Sequence, residues 1–158
     1  MEMRKYELTE ETKTLADGTV LHRIRALRDI SRYGVNAGDI GGWIEKYDNL
    51  SQDGNAWVNG NARVYGNAEV SGNAEVKSIR DYAVFKNGWS SGRWFTYTRS
   101  NRMWRVGCFH GTGEELIAKA YKDSELSGKC YEAVVRAQEA IDKAIKEAKE
   151  ARNEQREA

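Results

Sequence analysis

The sequence predicts a mainly β protein with an α-helical C-terminal part: a short solenoid of hexapeptide repeats, flanking β-hairpins and C-terminal helices. Three observations carry this. The chain repeats Gly-Asn-Ala-x-Val-x in six-residue steps between Gly54 and Val76, it alternates apolar and polar residues around Asp17-Gly18, and it ends in a heptad pattern. A fixed period this short is the signature of a β-solenoid.

The repeat places Gly54, Gly60, Gly66 and Gly72 in one column and Asn55, Asn61, Asn67 and Asn73 in the next. Ala56, Ala62, Ala68 and Ala74 follow, then Val58, Val64, Val70 and Val76. Six is even, so a strand side chain keeps its inward or outward sense from one repeat to the next. Alanine and valine stand two apart and share the inner face, and Gly-Asn suits the corner because both tolerate left-handed backbone. The outward positions carry Trp57, Arg63, Tyr65, Glu69 and Glu75, with too few acids for a metal cluster.

Four segments follow from these patterns. Residues 1–31 read as an N-terminal hairpin with Val20, Ile24 and Ala26 on one face. Residues 32–85 hold the repeats, opened by an irregular turn in which Ile44, Leu50 and Ala56 already fall in step and closed by Ile79, Val84 and Phe85. Residues 86–111 read as a hairpin of Arg93–Thr98 and Met103–His110. They mix Trp89, Trp94, Phe95, Tyr97, Trp104 and Phe109 with Arg93, Arg99, Arg102 and Arg105. Residues 112–158 read as two helices. The first starts with a Thr-Gly-Glu-Glu capping box at Thr112. The second runs from about Ser124, with Val134, Ala137, Ile141, Ala144, Ala148 and Ala151 forming a heptad seam.

Composition excludes several classes. A formal charge of +1 gives no global basic field, so no DNA partner is expected. No apolar run reaches the roughly 18 residues of a membrane span, and Met1-Glu2-Met3 is not a signal peptide. Two cysteines, Cys108 and Cys130, have no zinc-type spacing, so neither a metal nor another cofactor is expected.

Gly38-Asp39-Ile40-Gly41-Gly42-Trp43-Ile44-Glu45, Asn49-Leu50-Ser51, the Gly-Asn-Ala repeats and Val106–Thr112 together resemble hexapeptide-repeat proteins of unknown function from bacteriophages and prophages. The resemblance spans nearly the whole chain. It implies a left-handed parallel β-helix, the fold of the superfamily that includes hexapeptide acyltransferases, and a homotrimer. In those enzymes a histidine acts as base and CoA lies between subunits. Here the repeats contain no histidine and are only four in number.

The chemistry is carried by the aromatic and arginine segment. Arg93, Trp94, Tyr97, Arg99, Trp104, Arg105, His110 and Thr112 are the candidate ligand-binding residues. Aromatic rings beside guanidinium groups suit a stacked base and a held phosphate. Tryptophans covering the end of the repeat stack are the competing explanation. Cys108 and His110, two apart on one expected strand with Trp104 and Val106, are weak catalytic candidates for an activated thiol. His22, between Val20 and Ile24, reads as structural. The expected role is that of a non-enzymatic phage accessory protein in the host bacterial cytoplasm. It would counter a host defence system by sequestering a nucleotide-type signal or by blocking a host defence protein, and would act as a homo-oligomer, with a trimer favoured. The alternatives are an acyltransferase-like enzyme and a purely structural assembly protein.

Overall fold

The computed structural model describes residues 4–157, in two units that divide after Gly111. In the first unit, β1 (Tyr6–Thr14) and β2 (Val20–Ala26) pair antiparallel around a turn closed by Leu15 N–H to Thr19 O at 2.8 Å, with Gly18 at φ +92°. β3 (Ile40–Ile44) adds antiparallel to β2, and β5 (Arg63–Val64) adds parallel to β3. β4 (Trp57–Val58) and β6 (Glu75–Val76) make a separate parallel pair. A third sheet orders β10 (Phe109–Thr112), β9 (Met103–Val106), β8 (Trp94–Thr98) and β7 (Tyr82–Lys86).

The left-handed β-helix expected from the repeat is therefore corrected. Among the described residues the strands fall into three small sheets, and no sheet closes or winds as a solenoid. The physical reason lies in strand length. Each repeat strand hydrogen-bonds over two residues before its glycine turns the chain, and the third repeat forms only the isolated bridge of Leu50 with Val70. The second repeat is captured by β3, an edge of the antiparallel hairpin sheet, while the first and fourth repeats pair with each other. The architecture is mixed sheets followed by C-terminal helices.

The inward columns are nevertheless buried. All four repeat alanines and all four valines lie in one core with Ile44, Leu50, Ile24 and Tyr6. The four repeat glycines all take positive φ, +58° to +72°, where a Cβ is disfavoured. The corner between the first and fourth repeats is tight: Asn55 Nδ2 donates to Asn73 Oδ1 at 3.3 Å.

Three expected placements change. Trp57 is 1% exposed rather than outward, because Gly41 lets β3 pass directly over its ring. Val20 is exposed and Leu21 is buried beside Ile24 and Ala26. The β1 register slips between Leu8 and Thr12 and the β3 register between the partners of Arg23 and Arg25, which breaks simple alternation. Val84 packs on the core at its expected place, joined by Tyr82, whereas Ile79 is exposed and Phe85 joins an aromatic cluster on the other side of its strand.

Lys5 is the unusual member of this unit. It is fully buried, and its Nζ donates to Ala56 O at 2.6 Å. Burial, with repulsion from Arg28 added, pulls its pKa down to about 7, against a smaller opposing effect of Asp53. In the unfolded chain a lysine stays protonated to about pH 10.4. Between these values the unfolded chain binds the additional proton, so this group's contribution to stability rises with pH. The stability difference between wild type and Lys5→Met should therefore shift by about 2 kcal/mol in favour of wild type from pH 7 to pH 9. Urea unfolding at both values checks this, and a parallel pH dependence of the two proteins would refute it.

The second unit is a helix pair. α1 (Gly113–Asp123) begins at the expected capping box, with Thr112 Oγ1 accepting from Glu115 N–H at 3.2 Å and Glu115 Oε1 accepting from Thr112 N–H at 3.0 Å. α2 (Glu125–Glu157) packs back on α1 through Gly128, which leaves room for the Tyr121 ring, and through Arg136 to Glu114 at 2.7 Å. The buried residues of α2 are Ser127, Gly128, Tyr131, Val135 and Gln138. The heptad seam lies on a different stripe: Ala137, Ile141, Ala144, Ala148 and Ala151 are exposed and Val134 is half-buried.

Candidate functional site

A cleft of about 270 Å³ opens in the first unit between the corner Gly66-Asn67-Ala68-Glu69 and the start of β8. Lys46, Asp48, Arg93, Trp94 and Gly107 complete its lining. The corner owes its position to Asn49, which the short helix Tyr47–Asn49 carries into the core. Asn49 Nδ2 donates to Ala68 O at 2.9 Å and to Gly66 O at 3.2 Å, while its Oδ1 accepts from Lys46 N–H at 3.0 Å and Glu45 N–H at 3.2 Å. One amide thus fastens two walls of the cleft. Glu45 Oε1 adds a bond from Gly66 N–H at 2.9 Å. The opposite wall is tied in by Thr96, whose Oγ1 accepts from Glu69 N–H at 2.9 Å.

Trp94 is 42% exposed here, and the Lys86 ammonium lies 5.9 Å from its ring centroid. The Arg93 guanidinium lies against Gly107, where a side chain would collide with it and where φ is +56°. Arg105 Nε stands 3.5 Å from Glu69 Oε2, an ion pair without hydrogen-bond geometry. Lys46 and Arg93 face Asp48 and Glu69 across the lining, which is formally neutral, and Arg105 pairs with Glu69 from the rim.

Of the candidate binding residues, the structure brings Arg93 and Trp94 together in the cleft and Arg105 to its rim. It places Tyr97 and Trp104 elsewhere. Both are buried, their ring centroids 4.8 Å apart, and Trp104 packs on Phe95 at 6.0 Å and on Phe85 at 5.7 Å. They are packing residues. Arg99 secures the turn, its backbone N–H donating to Asp81 O at 2.9 Å and its guanidinium to Arg80 O. Thr112 is committed to the helix cap.

Cys108 and His110 do not share a strand face with Trp104. The run expected over Met103–His110 breaks at Gly107, leaving Cys108 exposed in the turn between β9 and β10. His110 is exposed on β10 with its ring against Gly72, and partial burial with Arg105 nearby lowers its pKa. Lys46, Asp48, Asn49 and the Gly66–Glu69 corner join the site without any mark in residue type or spacing. The resemblance over Asn49-Leu50-Ser51 was the available signal. Among the described residues no three His, Cys, Asp or Glu side chains group to hold a metal ion, and no helix is long and apolar enough to cross a membrane.

No protein-family model matches the chain. Over 63 residues it is 41% identical to an uncharacterized acetyltransferase, YdcK, of Escherichia coli (strain K12). That stretch is 35% of this chain and 19% of the bacterial protein, so the chain spans about a fifth of the length of the curated relative it matches. The similarity fits the hexapeptide acyltransferase superfamily over part of the chain.

Proposed function

We propose that this protein is a non-enzymatic binding protein whose cleft holds a small anionic molecule bearing a flat ring, of nucleotide type. The observation that carries the reading is the joint presentation of Trp94 and Arg93 in one concavity. An exposed indole offers a stacking surface, worth about 1–3 kcal/mol for a base, and a guanidinium fork matches phosphoryl oxygens. The biological setting that suits it is a phage accessory protein that withdraws a nucleotide signal from a host defence system. Protein purified from bacteria and then denatured should release such a molecule, detectable by absorbance and mass spectrometry. Arg93→Ala protein should release none. A blank from the wild type would count against the sequestration role.

A homo-oligomer completes the proposal. On α2, Val134 and Ile141 with the small alanines allow close approach of a second copy, and Ile141 is 48% exposed in the single chain. Val134→Glu with Ile141→Lys should lower the mass measured in solution to that of a monomer, and an unchanged sedimentation profile would remove the helix from the interface.

The acetyltransferase similarity favours a second reading, acyl transfer with His110 as base. Partial burial and the nearby Arg105 favour the neutral imidazole, the form a base requires. Turnover of acetyl-CoA lost in His110→Ala would establish it, and absence of turnover would exclude it.

A further inference from the structure

The β1-β2-β3-β5 sheet carries a second grouping, of residues that do not line the cleft. Trp43 on β3 pairs with Arg23 on β2 and with Arg63 on β5, so the three side chains stand side by side on one face of the sheet. The Arg23 guanidinium lies 5.0 Å from the Trp43 ring centroid, and the Lys13 ammonium reaches the same ring from β1, also at 5.0 Å. Trp43 is only 5% exposed, and its buried Nε1 has no acceptor.

Among the described residues none of the three cations has a carboxylate partner within ion-pair distance. Arg23 gives one hydrogen bond, to Asn61 Oδ1 at 3.2 Å. Glu45, two residues beyond Trp43, directs its Oε1 to the Gly66 N–H. Like charges gathered on one sheet face repel, and a buried N–H without an acceptor costs about 1–3 kcal/mol. An anion with several oxygens would relieve the repulsion.

We propose that this face binds a phosphoryl oxyanion, held by Arg23, Arg63 and Lys13. Guanidinium groups from two strands separated by one strand can grip different oxygens of one phosphate or diphosphate. The buried indole leaves no face for stacking, so the site selects the phosphoryl group and not a base. In this it differs from the cleft, where the Trp94 ring is open. The competing account is that the aliphatic stems of Lys13 and Arg23 merely shield the indole.

Pyrophosphate titrated calorimetrically into the full chain at low salt decides between them. Wild type should bind, Arg63→Gln should bind at least 10-fold more weakly, and Lys149→Gln, on the exposed surface of α2, should bind as wild type does, while Arg93→Ala reports any share taken by the cleft. Lys13→Gln, at the rim, provides a second weakened variant should Arg63→Gln fail to fold by circular dichroism. No binding by the wild type, or equal binding by wild type and the folded variants, overturns the proposal. Loss in Arg93→Ala alone would assign pyrophosphate to the cleft and also overturn it. Parallel titrations with ATP, a single-stranded oligonucleotide and phosphatidylglycerol vesicles identify the source of the phosphoryl group, which is the probe whose binding falls in Arg63→Gln.

Discussion

Asn49→Ala should destabilise the first unit by about 3 kcal/mol, because it leaves buried backbone groups on both sides of the lost amide without partners. Asn49 is fully buried and makes four hydrogen bonds to main chain, two as donor and two as acceptor. Its loss frees the carbonyls of Gly66 and Ala68 and the amides of Glu45 and Lys46 where water does not readily replace them. Asn49→Asp is a sharper test. It keeps both acceptors, removes both donors and buries a charge, so it should be at least as damaging as alanine. Thermal unfolding should fall by about 10 °C for either variant. The cleft should suffer with the fold, since the same amide holds its corner. A melting point within a degree or two of wild type would show that the four bonds contribute little.

The second large effect concerns two glycines that a sequence reading would treat alike. A Cβ at Gly41 would lie 2.6 Å from Trp57 Cζ2, 2.8 Å from Ile24 Cγ1 and 2.8 Å from Val58 O. Trp57 and Ile24 are buried and a backbone oxygen cannot swing away, so Gly41→Ala should cost about 3 kcal/mol through overpacking. Gly60 has φ +58° but nothing within 4 Å of the added carbon. Gly60→Ala should therefore cost about 1 kcal/mol, the penalty of left-handed backbone alone. Chemical denaturation of the two variants side by side separates close approach from backbone conformation. Equal losses would contradict the packing of β3 over Trp57.

Legibility followed the range of the interactions concerned. The repeat exposed which residues turn the corners and which face inward, because both depend on a period of six and on glycine backbone freedom. The Asp17-Gly18 turn and the Thr112 cap were legible for the same reason: each is settled within a few residues. Sheet organisation was not. Whether Arg63 and Val64 join further repeats or the edge of β3 depends on competition between segments far apart in the chain, and the repeat pattern carries no term for it. Trp57 occupies an outward position by parity, yet it is buried because Gly41 lets another strand cover it. The site shows the same division. Arg93 and Trp94 stood out by residue type, whereas Tyr97 and Trp104 have the same chemistry and serve packing. Asn49 and Lys46 come to the cleft only through the fold of the chain around Leu50.

Calorimetric titration of a purine mononucleotide into the full chain, wild type beside Arg93→Ala and Trp94→Ala, tests the binding reading most directly. Saturable binding by the wild type, weakened at least 10-fold in each variant while both keep the wild-type melting point, is the expected result. Wild-type binding that survives both substitutions, or no heat of binding up to millimolar nucleotide, would contradict it.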